Sequence, residues 1–317
     1  MALRNMRCRA LGACVIPAPS TVALLCALAT MPAWQSAHGQ TGLKVLIAVD
    51  MEGITGVVSP GQFSQTTGFE YERFRKFMTD EALAAVQGAR EAGATEIVVV
   101  DSHGNGDNLL IERFAADTKI VRSWPRPNGM MHGIDSTFAA AVLIGYHAST
   151  NSTLGIRAHT ITGMGFTSVD LNGRPMSESS LGAALAGHFG VPLVMISGDD
   201  SATAELKRLI PNVETAVVKS PISFNAGMTL TPEAGQALVR AGVREGVRRR
   251  REIAPFRVSS PVQLDLTLRS IQTAELLAYL NGVKRIGART IRYAARDLPD
   301  VSRFLQFVVH YRLDLNP

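Results

Sequence analysis

The chain has 317 residues, 46% of them hydrophobic and 19% charged, enough to bury a substantial core as one large domain or a domain plus a subdomain. Its formal charge is +5, but Arg4, Arg7 and Arg9 account for three of the 32 basic residues; from residue 40 onward 29 basic residues face 27 acidic ones, and this near-neutral body argues against a nucleic-acid partner. All three cysteines (Cys8, Cys14, Cys26) lie within the first 39 residues, so the rest of the chain has no disulfide or thiol chemistry and must hold any metal with His, Asp and Glu.

In chain order, the three arginines precede an apolar run from Thr21 to Met31, followed by Pro32 and a small-residue site at Ala37-His38-Gly39. That is the order of a secretory signal peptide over residues 1–39. The run is too short to span a membrane. The mature protein is therefore expected to be periplasmic or secreted, with no stable membrane insertion after cleavage.

The first predicted strand is Val45 to Val49, a continuous apolar, β-branched run of the kind buried on both faces of a sheet. It ends in Asp50-Met51-Glu52-Gly53. Strand side chains alternate, so Asp50 and Glu52 share a side while Met51 points back into protein. Two buried carboxylates side by side need a positive partner, and a divalent metal is the usual one.

A Gly/Ser/Thr-rich loop (56–68) leads to an amphipathic helix over 70–92, ended by Gly93. Glu96 to Val100 is a second strand, closing in Asp101-Ser102-His103-Gly104. Strand, helix, strand at this length implies a right-handed parallel crossover, and such sheets bind ligands beyond the carboxyl ends of their strands. Phe138 to Ile144 is a third strand, ending in Gly145-Tyr146-His147. Phe166 to Asn172 reads as a strand, Ser177-Glu178 opens a helix through Gly187, and Val191 to Ile196 is a further strand. A short helix over Ser201 to Leu209 and a strand over Thr215 to Val218 follow. From Thr231 the pattern is a long helix, a strand (Val262–Leu268), a helix (Thr273–Leu280), a strand (Thr290–Tyr293) and a terminal helix (Val301–Tyr311).

The expected fold is α/β, with a layered, mostly parallel central sheet flanked by helices. The expected organisation is a catalytic core over 40–220 and a smaller α/β subdomain over 221–317 that packs on it or builds subunit contacts. The run Arg248 to Arg251 reads as a solvated face or subunit contact.

Three apolar runs thus end in metal-capable residues: Asp50 with Glu52, Asp101 with His103, and His147. Glu178 and His159 lie in nearby connections. A lone histidine after a strand is commonly a hydrogen-bonded loop residue, and a lone aspartate a helix cap. Recurrence at the same end of successive parallel strands points instead to one site. Carboxylates and imidazoles without thiolate suit zinc, manganese or non-haem iron. Five such ligands exceed what one catalytic zinc needs, and with one shared carboxylate they suit two metals roughly 3.5–4 Å apart, equipment for hydrolysis. Asp101 is placed to orient His103. His132, His188 and His310 are given no role.

The blocks VDMEGITG (49–56), EYERF (70–74), VVDSHGNGDNL (99–109), IGYHA (144–148), HT (159–160), LNGRPMSE (171–178), MISGDD (195–200) and IPNVETAVVK (210–219) together resemble the DppA-type D-aminopeptidases, a family of binuclear zinc peptidases. The resemblance implies two Zn2+ per subunit, with Asp50, Glu52, His103, His147 and Glu178 as metal ligands and His159 as the catalytic residue. It implies aminopeptidase action on short peptides or amides with an N-terminal D-amino acid, by a metal-activated water. It also implies a homo-oligomer, the family assembly being a decamer. Lys219 matches a family lysine to which no role is assigned. Two other readings use the same residues: another metal-dependent hydrolase, such as a phosphoesterase or deacylase, and a non-catalytic periplasmic peptide- or metal-binding protein.

Overall fold

The structure is a computed structural model that describes residues 42–311; the leader expected over 1–39 lies outside the described residues. The β-branched runs form β1 (Leu43–Val49), β2 (Ala94–Asp101), β4 (Ala140–Tyr146) and β7 (Leu193–Asp199), whose central residues are buried on both faces. With β3 (Thr118–Val121), β8 (Glu214–Ser223) and β9 (Ala226–Thr229) they make a seven-stranded sheet ordered β3-β2-β1-β4-β7-β8-β9. Every pairing in it is parallel except the terminal β8–β9 hairpin.

The chain winds outward from β1 in two directions, to β2 and β3 on one side and from β4 to β7 and β8 on the other. The switch point lies between β1 and β4, where α/β sheets open a crevice at the carboxyl ends of their strands. Val49 pairs with Asp101 on one side and with Ile144 on the other. This register sets Asp50, Ser102 and Gly145 level with one another at the sheet's edge.

A single helical turn, α1 (Pro60–Phe63), precedes α2 (Tyr71–Glu91), which buries Phe74, Met78, Ala82, Ala85 and Ala89 at helical spacing. α2 packs against α5 (Pro232–Arg248), and α3 (Glu178–His188) packs against α4 (Asp200–Leu209). Among the described residues no helix is long and apolar enough to cross a membrane.

A second, antiparallel sheet is ordered β11-β12-β10-β5-β6: β5 is Phe166–Leu171, β6 Arg174–Pro175, β10 Val262–Leu268, β11 Val283–Arg285 and β12 Thr290–Ala295. Both sheets draw strands from either side of residue 220. The remaining helices are α6 (Ile271–Leu277) and α7 (Leu298–His310). Each starts earlier than the apolar pattern suggests, because a side chain caps it: Ser270 accepts from the N–H of Thr273, and Asp297 from that of Asp300.

The α2–α5 contact depends on Gly88, where a Cβ would run into the main-chain carbonyl of Arg240. Arg240 Nε also donates to Glu91 Oε1 at 2.8 Å across the same seam. Gly88→Ala is expected to push the helices apart and cost about 2 kcal/mol, read as a lower urea midpoint with an unchanged slope.

Candidate metal centre

The ends of β1 and β4 interlock through their backbones. Asp50 N–H donates to Ile144 O at 2.8 Å, and Gly53 N–H to Gly145 O at 2.7 Å. A Cβ at residue 53 would collide with the carbonyl oxygen of Tyr146, so only glycine lets the two strand ends approach this closely. Met51 and Tyr146 are fully buried, while Asp50, Glu52 and His147, just past the strand ends, converge on one site. Glu178 reaches them from the first turn of α3, whose N-cap Ser177 accepts from Ser180 N–H. There the helix dipole favours a carboxylate.

The structure brings together all six residues expected at the site. His103 Nδ1 lies 2.8 Å from Glu52 Oε2 and 3.3 Å from Asp50 Oδ1. His147 Nε2 lies 3.4 Å from both Asp50 Oδ2 and Glu178 Oε1. His159 Nε2 is 3.6 Å from Glu178 Oε1, and its ring stacks on that of His147 at 4.0 Å between centroids, 9° from parallel. All but His159 are buried, and its side chain is 22% exposed.

Each imidazole is held from behind by a main-chain carbonyl. Phe63 O accepts from Nε2–H of His103 at 2.9 Å, Ala148 O from Nδ1–H of His147 at 3.0 Å, and Arg157 O from Nδ1–H of His159 at 2.8 Å. In that tautomer the nitrogen facing the carboxylates carries a lone pair, the arrangement metal-binding histidines take. Asp50 Oδ2 and His147 Nε2 are buried with no hydrogen-bond partner. Two orphaned atoms in a thiolate-free set of imidazoles and carboxylates fit a divalent cation of the zinc type. Asp50, Glu52 and His147 offer ligand atoms close enough for one ion, as do His147, His159 and Glu178.

Electrostatics point the same way. Burial, reinforced by the charge of Glu52, pushes Asp50 up to about 8. Burial also opposes charge on Glu52, but the His103 cation wins and holds it well below the carboxylate range. Burial opposes charge on His147 in turn, yet Glu178 carries it up to about 10. Three buried carboxylates demand positive charge. Protons on the imidazoles meet that demand in the protein alone, and a cation meets it with the imidazoles free to ligate.

Asp101 does not orient His103 directly. Its carboxylate accepts the N–H groups of Asn108 and Leu109 and the side-chain amide of Asn108, which in turn donates to His103 O at 2.7 Å. It braces the loop, and the Phe63 carbonyl orients the ring. His310, given no role in the sequence reading, lines the cavity that opens from the carboxylates.

The residue that sequence reasoning left without a function is Lys219, on β8 and 3% exposed. Its Nζ donates to the carbonyls of Glu52, Ile54 (3.1 Å) and Val57, gathering the turn that carries Glu52. Burial lowers it to about 8 despite the pull of Asp199, Glu81 and Glu52. The signal in the sequence was a lysine ending an apolar run. Lys219→Met is expected to cost about 3 kcal/mol, because three carbonyls lose their donor. Urea unfolding of the metal-free protein measures that loss, and metal titration should show weaker binding.

Comparison with known proteins adds the lineage. Residues 43–307 match the family model described as D-aminopeptidase, peptidase family M55. A D-aminopeptidase of Bacillus subtilis (strain 168) is 33% identical over 257 residues, covering 81% of this chain and 93% of that protein. A solved structure, the Zn-dependent D-aminopeptidase DppA from Bacillus subtilis, described as a self-compartmentalizing protease, superposes with a TM-score of 0.80 at 31% identity, covering 84% of this chain and 97% of that one.

Proposed function

The chain belongs to the M55 D-aminopeptidase family, and from that premise we propose that it removes the N-terminal D-amino acid from short peptides or amides, using two zinc ions per subunit. It is a zinc-dependent metallopeptidase. The observation that carries the reading is the set of imidazoles anchored outward to carbonyls with their free nitrogens on three buried carboxylates.

Asp50 is the carboxylate whose two oxygens face two different imidazoles, His103 and His147. Asp50, Glu52, His103, His147 and Glu178 would hold the ions, Asp50 being the carboxylate that both imidazoles face. Bound zinc supplies Lewis acidity, which lowers the pKa of water and polarises the scissile carbonyl. His159 stands beside these ligands but is more open than they are, so it can reach substrate. Its Nδ1–H is fixed on Arg157 O, which leaves Nε2 to take a proton from water and return it to the leaving amine, or to hydrogen-bond the developing oxyanion. The family match favours this reading over a phosphoesterase, a deacylase or a binding protein.

A homo-oligomer is the expected assembly, a decamer by resemblance to the family, given that the solved relative is a self-compartmentalizing protease. The leader pattern over 1–39 supports a periplasmic or secreted location.

Elemental analysis of purified protein is expected to give two zinc ions per chain, and D-alanine amide to be hydrolysed well ahead of L-alanine amide. A protein that holds no zinc and gains no turnover when zinc is added back would sink the reading. His159→Ala should keep its zinc while kcat falls by roughly 10²- to 10⁴-fold; loss of zinc would make His159 a ligand instead. Fractionation of expressing cells should place the protein outside the cytoplasm with its N-terminus near residue 40. An intact leader on cytoplasmic protein would refute export.

A further inference from the structure

A cavity of about 160 Å³ runs from Asp50, Glu52, His103, His159 and Glu178 to α7. Its far wall is one stripe of that helix. Leu298, Val301, Leu305 and Val309 recur every three or four residues and all line the cavity. α3 contributes Leu181 and Leu185 from another side. Gly182 lets α3 approach the turn at 129–131, since a Cβ there would already stand 3.3 Å from Met131 Sδ. Activation of water needs polar neighbours and little room. A cavity this size walled by aliphatic side chains instead suits a hydrocarbon group, and a comparable engineered apolar cavity in another protein holds benzene.

This inference rests on the aminopeptidase reading of the site. In an aminopeptidase the reacting carbonyl belongs to the first residue, whose side chain branches from the adjacent carbon. Space contiguous with the carboxylates therefore receives that side chain, while the leaving peptide keeps its path to solvent. Among the polar groups in the wall, Gln306 presents a buried Oε1 with no hydrogen-bond partner, an acceptor that a substrate N–H can satisfy. We propose that α7, together with Leu181 and Leu185, forms the specificity pocket for the substrate's N-terminal side chain and selects a leucine-sized aliphatic group over alanine.

The test compares wild type with Val301→Phe, which fills the pocket, and Leu305→Ala, which enlarges it. Zinc content and melting temperature serve as controls for folding. One readout is the ratio of kcat/KM for D-leucine and D-alanine amides. The other is calorimetric binding of isopentylamine and ethylamine, the carbonyl-free counterparts of the two residues, which cannot turn over.

Wild type is expected to favour the leucine amide by at least about tenfold and to bind isopentylamine more tightly than ethylamine. Val301→Phe should erase both preferences. Leu305→Ala should move the amide preference toward D-phenylalanine, and it decides the matter alone if the Phe variant does not fold. Equal ratios in wild type and folded variants would overturn the pocket while leaving the peptidase intact. Zinc-loaded protein that cleaves none of the amides would instead sink the peptidase reading, and the two amines would still decide whether α7 lines a side-chain pocket.

Discussion

The centre of this molecule is a charge problem. Asp50, Glu52 and Glu178 are placed within reach of one another with at most 6% of each residue exposed, and buried carboxylates are tolerated only with positive charge among them. The strand register creates the problem by aligning the ends of β1 and β4 at the switch point. It also supplies the remedy, because the neighbouring ends of β2 and β4 carry His103 and His147. Three main-chain carbonyls then fix which nitrogen of each ring faces inward. A tautomer set by the backbone costs no side-chain ordering and is difficult to lose by substitution, which is how a site built for a cation keeps its ligands ready.

Lys219 answers the same constraint from behind. A cation held by three carbonyls beneath the turn of Glu52 gathers a segment that has no regular hydrogen-bond ladder of its own. It has no need to touch a ligand's side chain to matter. By fixing the backbone of residues 52–57 it fixes the direction in which Glu52 projects.

Most of this was legible in the residues. The buried β-branched runs that end in acids and histidines mark the shared edge of the sheet, although Met51 and Glu52 lie in the turn past β1 rather than in the strand itself. The elements that escaped were short or half-exposed: β3, β9 and β11 have at most four residues each, and so weak an apolar pattern that pairing partners rather than local sequence define them. Asp101 misled for a related reason. Its position predicted proximity to His103, but backbone N–H groups seven and eight residues on claimed its oxygens first. The residues set His159 in a nearby connection, but its role rested on the resemblance, since it lies in a loop where Arg157 adopts a left-handed backbone conformation that no periodicity encodes. The role of α7 was invisible because a cavity wall and a core contact are both apolar stripes.

That last ambiguity bears on how the two sheets divide the work. The parallel sheet contributes four of the five proposed ligands through strand ends that share one register. The antiparallel sheet holds the rest: β5 and β6 lead directly into Glu178, while β10 and β12 seat α7, with Tyr293 of β12 stacked on Phe304 at 4.2 Å. The helix that walls the cavity and the carboxylate of Glu178 are therefore carried by one structural unit. Leu298, Val301 and Leu305 of α7 belong to the packed core as well as to the cavity wall, while Phe304 ties the helix to β12. The cavity is where the strand ends of the parallel sheet, Glu178 of α3 and the apolar stripe of α7 meet.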